Sequence, residues 1–130
     1  MKLKDLKIIV TRPPPPGWGG RYWIFVKLTT DNGIVGWGEC YASSIGPEAM
    51  EVVIKDIFER YFLDESPSNF EKMFRRTYSS GFTQRPDLTV MGAFSGLEIA
   101  AKLLNLSSSQ SSPLPKARKS PNLCLSVAAK

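Results

Sequence analysis

Histidine is absent from this 130-residue chain, which removes the side chain that most readily moves a proton near neutral pH and the commonest metal ligand. Cysteine is scarce: Cys40 and Cys124 are the only two, at no metal-ligand spacing, and reduced structural thiols are the reading. No apolar run approaches the roughly 18 residues of a membrane span, and no charged-then-apolar leader with a cleavage site opens the sequence. A soluble, cytoplasmic protein is expected. Negative charge is missing beyond residue 105, where Lys116, Arg118, Lys119 and Lys130 go unopposed. Subtracting those four from the net charge of +5 leaves +1 for residues 1–105, so the basic character describes a tail and not a nucleic-acid-binding face. The length allows one ordinary domain with a core but no (β/α)8 barrel, which needs roughly 200 residues or more.

What is present begins with strands. Leu3, Leu6, Ile8, Ile9 and Val10 form a short apolar segment laced with lysines, as in a strand at the edge of a small sheet. Residues 22–30 are β-branched and aromatic with a loose period of two, and Asp31-Asn32-Gly33 then tolerates a turn conformation. Residues 34–40 resume as the returning strand, in which Gly36 and Gly38 bracket Trp37 and predict a bulge or a close backbone approach. Trp37 and Cys40 read as core. Between the first strand and this hairpin, four prolines (residues 13–16) and Gly17-Trp18-Gly19-Gly20 make a stiff loop, or a proline-rich ligand for a recognition module.

Helical periodicity follows. Pro47 suits a first helical position, and Met50, Val53, Ile54, Ile57, Phe58 and Tyr61 share one face. Residues 64–67 break that helix. Ser68 with Glu71 matches a capping box introducing Phe70, Met73, Phe74 and Tyr78. From about Thr89 a third helix carries Met91, Phe94, Leu97, Ile99, Leu103 and Leu104 around more than one face, and is expected to be the most buried. The patterns alone therefore give an α+β domain, a three-stranded antiparallel meander followed by three helices. It occupies residues 1–105, with residues 106–130 as a serine- and proline-rich tail expected to be disordered.

The strand ending Thr29-Thr30-Asp31-Asn32-Gly33, the Gly36-Trp37-Gly38-Glu39 that follows it, and the later Ser95-Gly96-Leu97-Glu98-Ile99-Ala100 together resemble the amino-terminal capping domain of the mandelate racemase and muconate lactonizing enzymes, within the enolase superfamily. The likeness covers roughly residues 1–100 and is nearest to the acid-sugar, galactonate-type dehydratases, which are lyases. Past Ala100 the family's tryptophan-aspartate pair is replaced by Ala101-Lys102-Leu103-Leu104, so the resemblance implies a fragment stopping before the barrel: a truncation, a splice product or a frame change.

The resemblance implies a reaction in which a proton is removed next to a carboxylate, with Mg²⁺ stabilising the enediolate and Lys or His as base. No such equipment is placed here: Lys2-Leu3-Lys4 is the only Lys-x-Lys pattern and precedes the first strand, and the acidic residues lie in turns and on helix faces. No catalytic residue, cofactor or metal site is therefore expected, and the chain alone is expected to be inert. What the resemblance does imply is a cap whose loops shape a substrate pocket, with Trp18 as an apolar wall, Tyr41 as a hydroxyl, Ser44 as a small donor and acceptor, and Arg85 as a fork for a carboxylate. Three have a structural alternative: Trp18 packing its loop on the sheet, Tyr41 at the core's edge, Arg85 bonding a helix end. Glu39 reads equally as a cap–barrel contact or a solvated carboxylate. The rival function is a non-enzymatic interaction module using the proline loop or an exposed helix face. Acid-sugar substrate in the context of a barrel and self-association through the apolar helix face are the expected partners; nucleic acid and membrane are not.

Overall fold

The computed structural model describes residues 1–12, 14, 22–41, 45–79 and 87–109. Strands β1 (Leu3–Thr11), β2 (Trp23–Thr30) and β3 (Val35–Cys40) pair antiparallel in the order β1-β2-β3. The central strand alternates cleanly: Ile24, Val26, Leu28 and Thr30 are buried, while Trp23, Phe25, Lys27 and Thr29 face the other way and are half-buried. Register sets Ile24, Val26 and Leu28 against Val10, Ile8 and Leu6 of β1 and Cys40, Gly38 and Gly36 of β3. In the β2–β3 turn Gly33 takes a positive φ of 80°, and the Thr30 hydroxyl accepts from the Ile34 N–H at 3.0 Å and meets Asn32 Oδ1 at 2.6 Å, which satisfies a buried polar side chain.

The helices follow as α1 (Pro47–Ile57), α2 (Phe70–Tyr78) and α3 (Leu88–Ser109). Helix α3 lies along β3 and presents Ala93, Phe94, Leu97, Ala100, Ala101 and Leu104 inward at spacings of three and four. The fit is made backbone to backbone. A Cβ on Gly36 would overlap the Ala100 carbonyl, and one on Gly38 would overlap the carbonyl of Gly96. The paired glycines of β3 thus mark a close approach; the sheet's register irregularity lies elsewhere, between Leu3 and Asp5. Behind α3 the core is closed by Met50, Ile54, Phe62 and Met73, with Phe94 ringed by Phe62 at 5.6 Å and Phe74 at 5.5 Å. Each such buried side chain contributes roughly 1.5–3 kcal/mol of transfer free energy.

Four expectations change. Trp37 is not core: because β3 turns its glycines toward α3, the residue between them faces outward and is 47% exposed. Helix α1 continues into a π turn at Phe58–Phe62, whose extra residue brings Phe62 into the core and leaves Tyr61, the expected inward position, only partly buried. The capping box does not form. Ser66 instead accepts from the Ser68 N–H at 3.4 Å to open the 3₁₀ turn Pro67–Asn69; the Ser68 hydroxyl bonds Asn105 at 3.1 Å, and Glu71 pairs with Arg75 at 2.7 Å. On α2 only Met73 and Thr77 are buried, with Phe74 and Tyr78 stacked at 5.7 Å and partly open. Finally, α3 runs on to Ser109, past the boundary placed at residue 105, with the Ser107 hydroxyl donating back to the Leu103 carbonyl at 3.0 Å.

Candidate functional site

One end of the domain gathers the loops. β1 ends at Thr11 opposite Trp23, where β2 begins, and β3 ends at Cys40 opposite Ile24. The connections 12–22 and 41–46 therefore leave from the same edge of the fold. The start of α3 arrives there as well, because Gly92 lies directly against the Tyr41 carbonyl with no room for a side chain between them. Asp87, where the α2–α3 connection runs into α3, therefore lies toward the same end.

Each sequence-predicted site residue belongs to one of these connections. Tyr41 is the described one, 69% exposed at the strand's end and not part of the core edge. Trp18, Ser44 and Arg85 lie outside the described residues, as does the proline-rich run apart from the exposed Pro14. Glu39, just before the loop, is exposed on the outward face of β3.

Several anchors at this end have no counterpart in the reading by pattern. The Tyr22 hydroxyl donates to the Ile45 carbonyl at 2.7 Å, joining the end of one connection to the end of the next. Asp87 Oδ1 accepts from the N–H groups of Thr89 at 2.8 Å and Val90 at 3.0 Å, capping α3. An aspartate two residues before Thr89 is the signal that could have found this cap; Tyr22 offers none, since its partner lies 23 residues away. Arg12 also reaches Glu48 at 3.9 Å, a loose pair between two exposed side chains.

The chemistry available is limited. Burial, the largest effect, pushes the Cys40 thiol up to about 12, and its S–H meets the Ala93 carbonyl at 3.5 Å. A buried thiol of that kind is a structural group and not a nucleophile. Among the described residues no cluster of three His, Cys, Asp or Glu side chains could hold a metal ion. The carboxylates that titrate low sit at the opposite end of the sheet. A hydrogen bond from Lys4 holds Asp64 below the usual range, one from Lys72 at 2.6 Å does so for Glu65, and the Lys2 N–H at 2.9 Å does so for Asp31. Each is committed to a cation or a backbone donor rather than to a metal.

A second surface is apolar. Ile99, Leu103 and Leu106 follow at i, i+4 and i+7 on α3 and are 45%, 43% and 61% exposed, on the side turned away from the core.

Residues 19–111, which take in β2, β3 and all three helices, match the family model for the N-terminal domain of mandelate racemase / muconate lactonizing enzymes. The chain belongs to this family. Solved structures agree. A mandelate racemase/muconate lactonizing enzyme-like protein from a Roseovarius species is 68% identical with a TM-score of 0.81, the match covering 84% of this chain and 28% of that one. A mandelate racemase/muconate lactonizing enzyme from a Sulfitobacter species is 69% identical over the same shares, again at 0.81. An enolase from Agrobacterium radiobacter, with a suggested galactarate dehydratase activity and with Na and L-malate bound, shares the fold at 23% identity and a TM-score of 0.69, covering 84% of this chain and 26% of its own. The mandelate racemase / muconate lactonizing enzyme N-terminal domain is part of the Mg-dependent enolase superfamily, but the described residues of this one do not fit a metal. No described helix is long and apolar enough to cross a membrane.

Proposed function

We propose that this chain is the capping, substrate-specificity domain of a cytoplasmic, Mg-dependent acid-sugar dehydratase or racemase, lending its loop end to the mouth of a (β/α)8 barrel and inert by itself. The observation that carries this is that the end of β1, the start of β2, the end of β3 and the start of α3 meet at one end of the fold, with exposed Tyr41 among them. In this role the cap excludes water and shapes the pocket wall, with Trp18, Tyr41, Ser44 and Arg85 as its substrate contacts, and base and metal ligands lie in the barrel. The stripe Ile99, Leu103 and Leu106 serves as a docking face toward the barrel; left uncovered, it drives self-association of the isolated chain, which sedimentation would show as concentration-dependent species.

The test is a chimera in which residues 1–111 replace the matching segment of the Roseovarius relative, assayed with Mg²⁺ against a panel of sugar acids. Turnover by the chimera, none by the chain alone, and a KM raised about tenfold by Tyr41→Ala or Arg85→Ala support the reading. A KM indifferent to all four positions overturns it.

A further inference from the structure

Tyr22 stands immediately before β2, and its ring packs against the core while its hydroxyl reaches across to the backbone before α1. The bond to the Ile45 carbonyl is short, 2.7 Å, and partly shielded from water. Ile45 packs on the same core, and the Gly46 carbonyl next to it accepts from the Met50 N–H at 3.1 Å to begin α1. At the other end of the 41–46 connection, Gly92 of α3 is pressed against the Tyr41 carbonyl. One connection is thus held at both ends, by contact at its start and by a hydrogen bond at its finish. Among the described residues Arg12 also pairs with Glu48 of α1 at 3.9 Å, but both side chains are exposed and the pair is too open to fix a position.

We propose that Tyr22 is a positioning residue: its hydroxyl sets the exit of the connection after β3, at Ile45 and Gly46, relative to the entry of β2, and so holds that side of the substrate mouth in place. This rests on the capping role proposed above. Phenylalanine at this position keeps the ring and its packing and removes the hydroxyl alone, which takes the tyrosine's hydrogen bond away from the Ile45 carbonyl. A net hydrogen bond of this kind corresponds to about a five- to tenfold change in a local opening equilibrium.

The experiment has two arms. In the full 130-residue chain, ¹⁵N relaxation and amide exchange are compared between parent, Tyr22→Phe and Arg12→Ala. Tyr22→Phe should lower the order parameters of Ile45 and Gly46 from about 0.85 toward about 0.6 and speed Met50 amide exchange about five- to tenfold, with β2–β3 ladder amides unchanged. Arg12→Ala should alter these by less than about twofold. In the chimera, Tyr22→Phe should raise KM several-fold and leave kcat within about twofold, a split that general destabilisation would not produce. Unchanged dynamics at Ile45, Gly46 and Met50 overturn the inference, as does a chimera whose KM ignores Tyr22→Phe. The first arm needs no catalysis, so it decides the anchor even where the chimera turns nothing over, an outcome that would count against the capping role instead.

Discussion

Replacing Gly38 by alanine tests the contact on which the fold's closure depends. The added methyl would occupy the place of the Gly96 carbonyl oxygen, and both partners are backbone, so neither can rotate away. β3 is held in register by β2, with Gly38 opposite Val26, so the strain falls on α3. Moving that helix outward opens gaps around Ala93, Phe94, Leu97, Ala100, Ala101 and Leu104, and a radial gap of 0.5–1 Å already forfeits roughly a quarter to a half of each contact's attraction. Overpacking of this kind costs about 1–3 kcal/mol, and rigid neighbours place it at the upper end. Alanine recovers about 0.4–1 kcal/mol by restricting the unfolded chain. A net loss of about 2 kcal/mol remains, equivalent to a fall in Tm of roughly 8–16 °C for a domain of this size. Urea unfolding followed by circular dichroism measures it, with an unchanged m-value confirming that the folded state is the one perturbed. Gly46→Ala is the control, since Gly46 is extended at φ −67° and a Cβ there meets only the flexible end of Glu48 at 3.3 Å. If Gly38→Ala proves no worse than Gly46→Ala, the close packing of β3 on α3 is not what holds the domain together.

Leu97 is fully buried, so Leu97→Ala should cost about 2–5 kcal/mol, whereas Leu103→Ser should stay within about 0.5 kcal/mol and shift sedimentation of the chain toward monomer. With its thiol pushed up to about 12, Cys40 should be about one part in ten thousand thiolate at pH 8. In a Cys124→Ser background it should therefore resist a thiol reagent until urea unfolds the chain. Glu65 is held below its ordinary 4.5 first by Lys72, so the stability it adds is present above that pH and lost as pH falls through the lower folded value. Acid titration of unfolding between about pH 5 and 3 should accordingly be steeper for the parent than for Glu65→Gln, whose loss at neutral pH should not exceed about 1 kcal/mol.

Most of the architecture is legible in the pattern because it is set by local rules. Ile24, Val26 and Leu28 alternate with Phe25 and Lys27, Gly33 permits the turn, and Pro47 opens a helix whose apolar residues recur at the right spacing. Where reading fails, the deciding partner is remote. Trp37 looks like core by composition, but its direction follows from glycines that had to meet Gly96 and Ala100, about sixty residues on. Ser68 has the spacing of a cap, yet Asn105 competes for its hydroxyl and Ser66 takes over the turn. The π turn at Phe58–Phe62 carries no residue that announces it; it exists because Phe62 fills the space beside Phe94. The site is less legible than the fold for the same reason. Tyr41 is marked by its place at the end of a strand, but the Tyr22–Ile45 bond belongs to no motif.

The outward turn of Trp37 also has an optical consequence. Among the described residues neither Trp23 nor Trp37 belongs to the buried core, and the Trp37 indole lies beside the ammonium of Lys27, 5.9 Å from the ring centre, on a sheet face that no described helix covers. Its emission reports hydration of that face rather than the packing beneath it. Loss of the interior would leave the spectrum of this residue near its starting wavelength, while anything settling on the sheet would blue-shift it and shield it from a soluble quencher, making it a native probe for whatever comes to rest there.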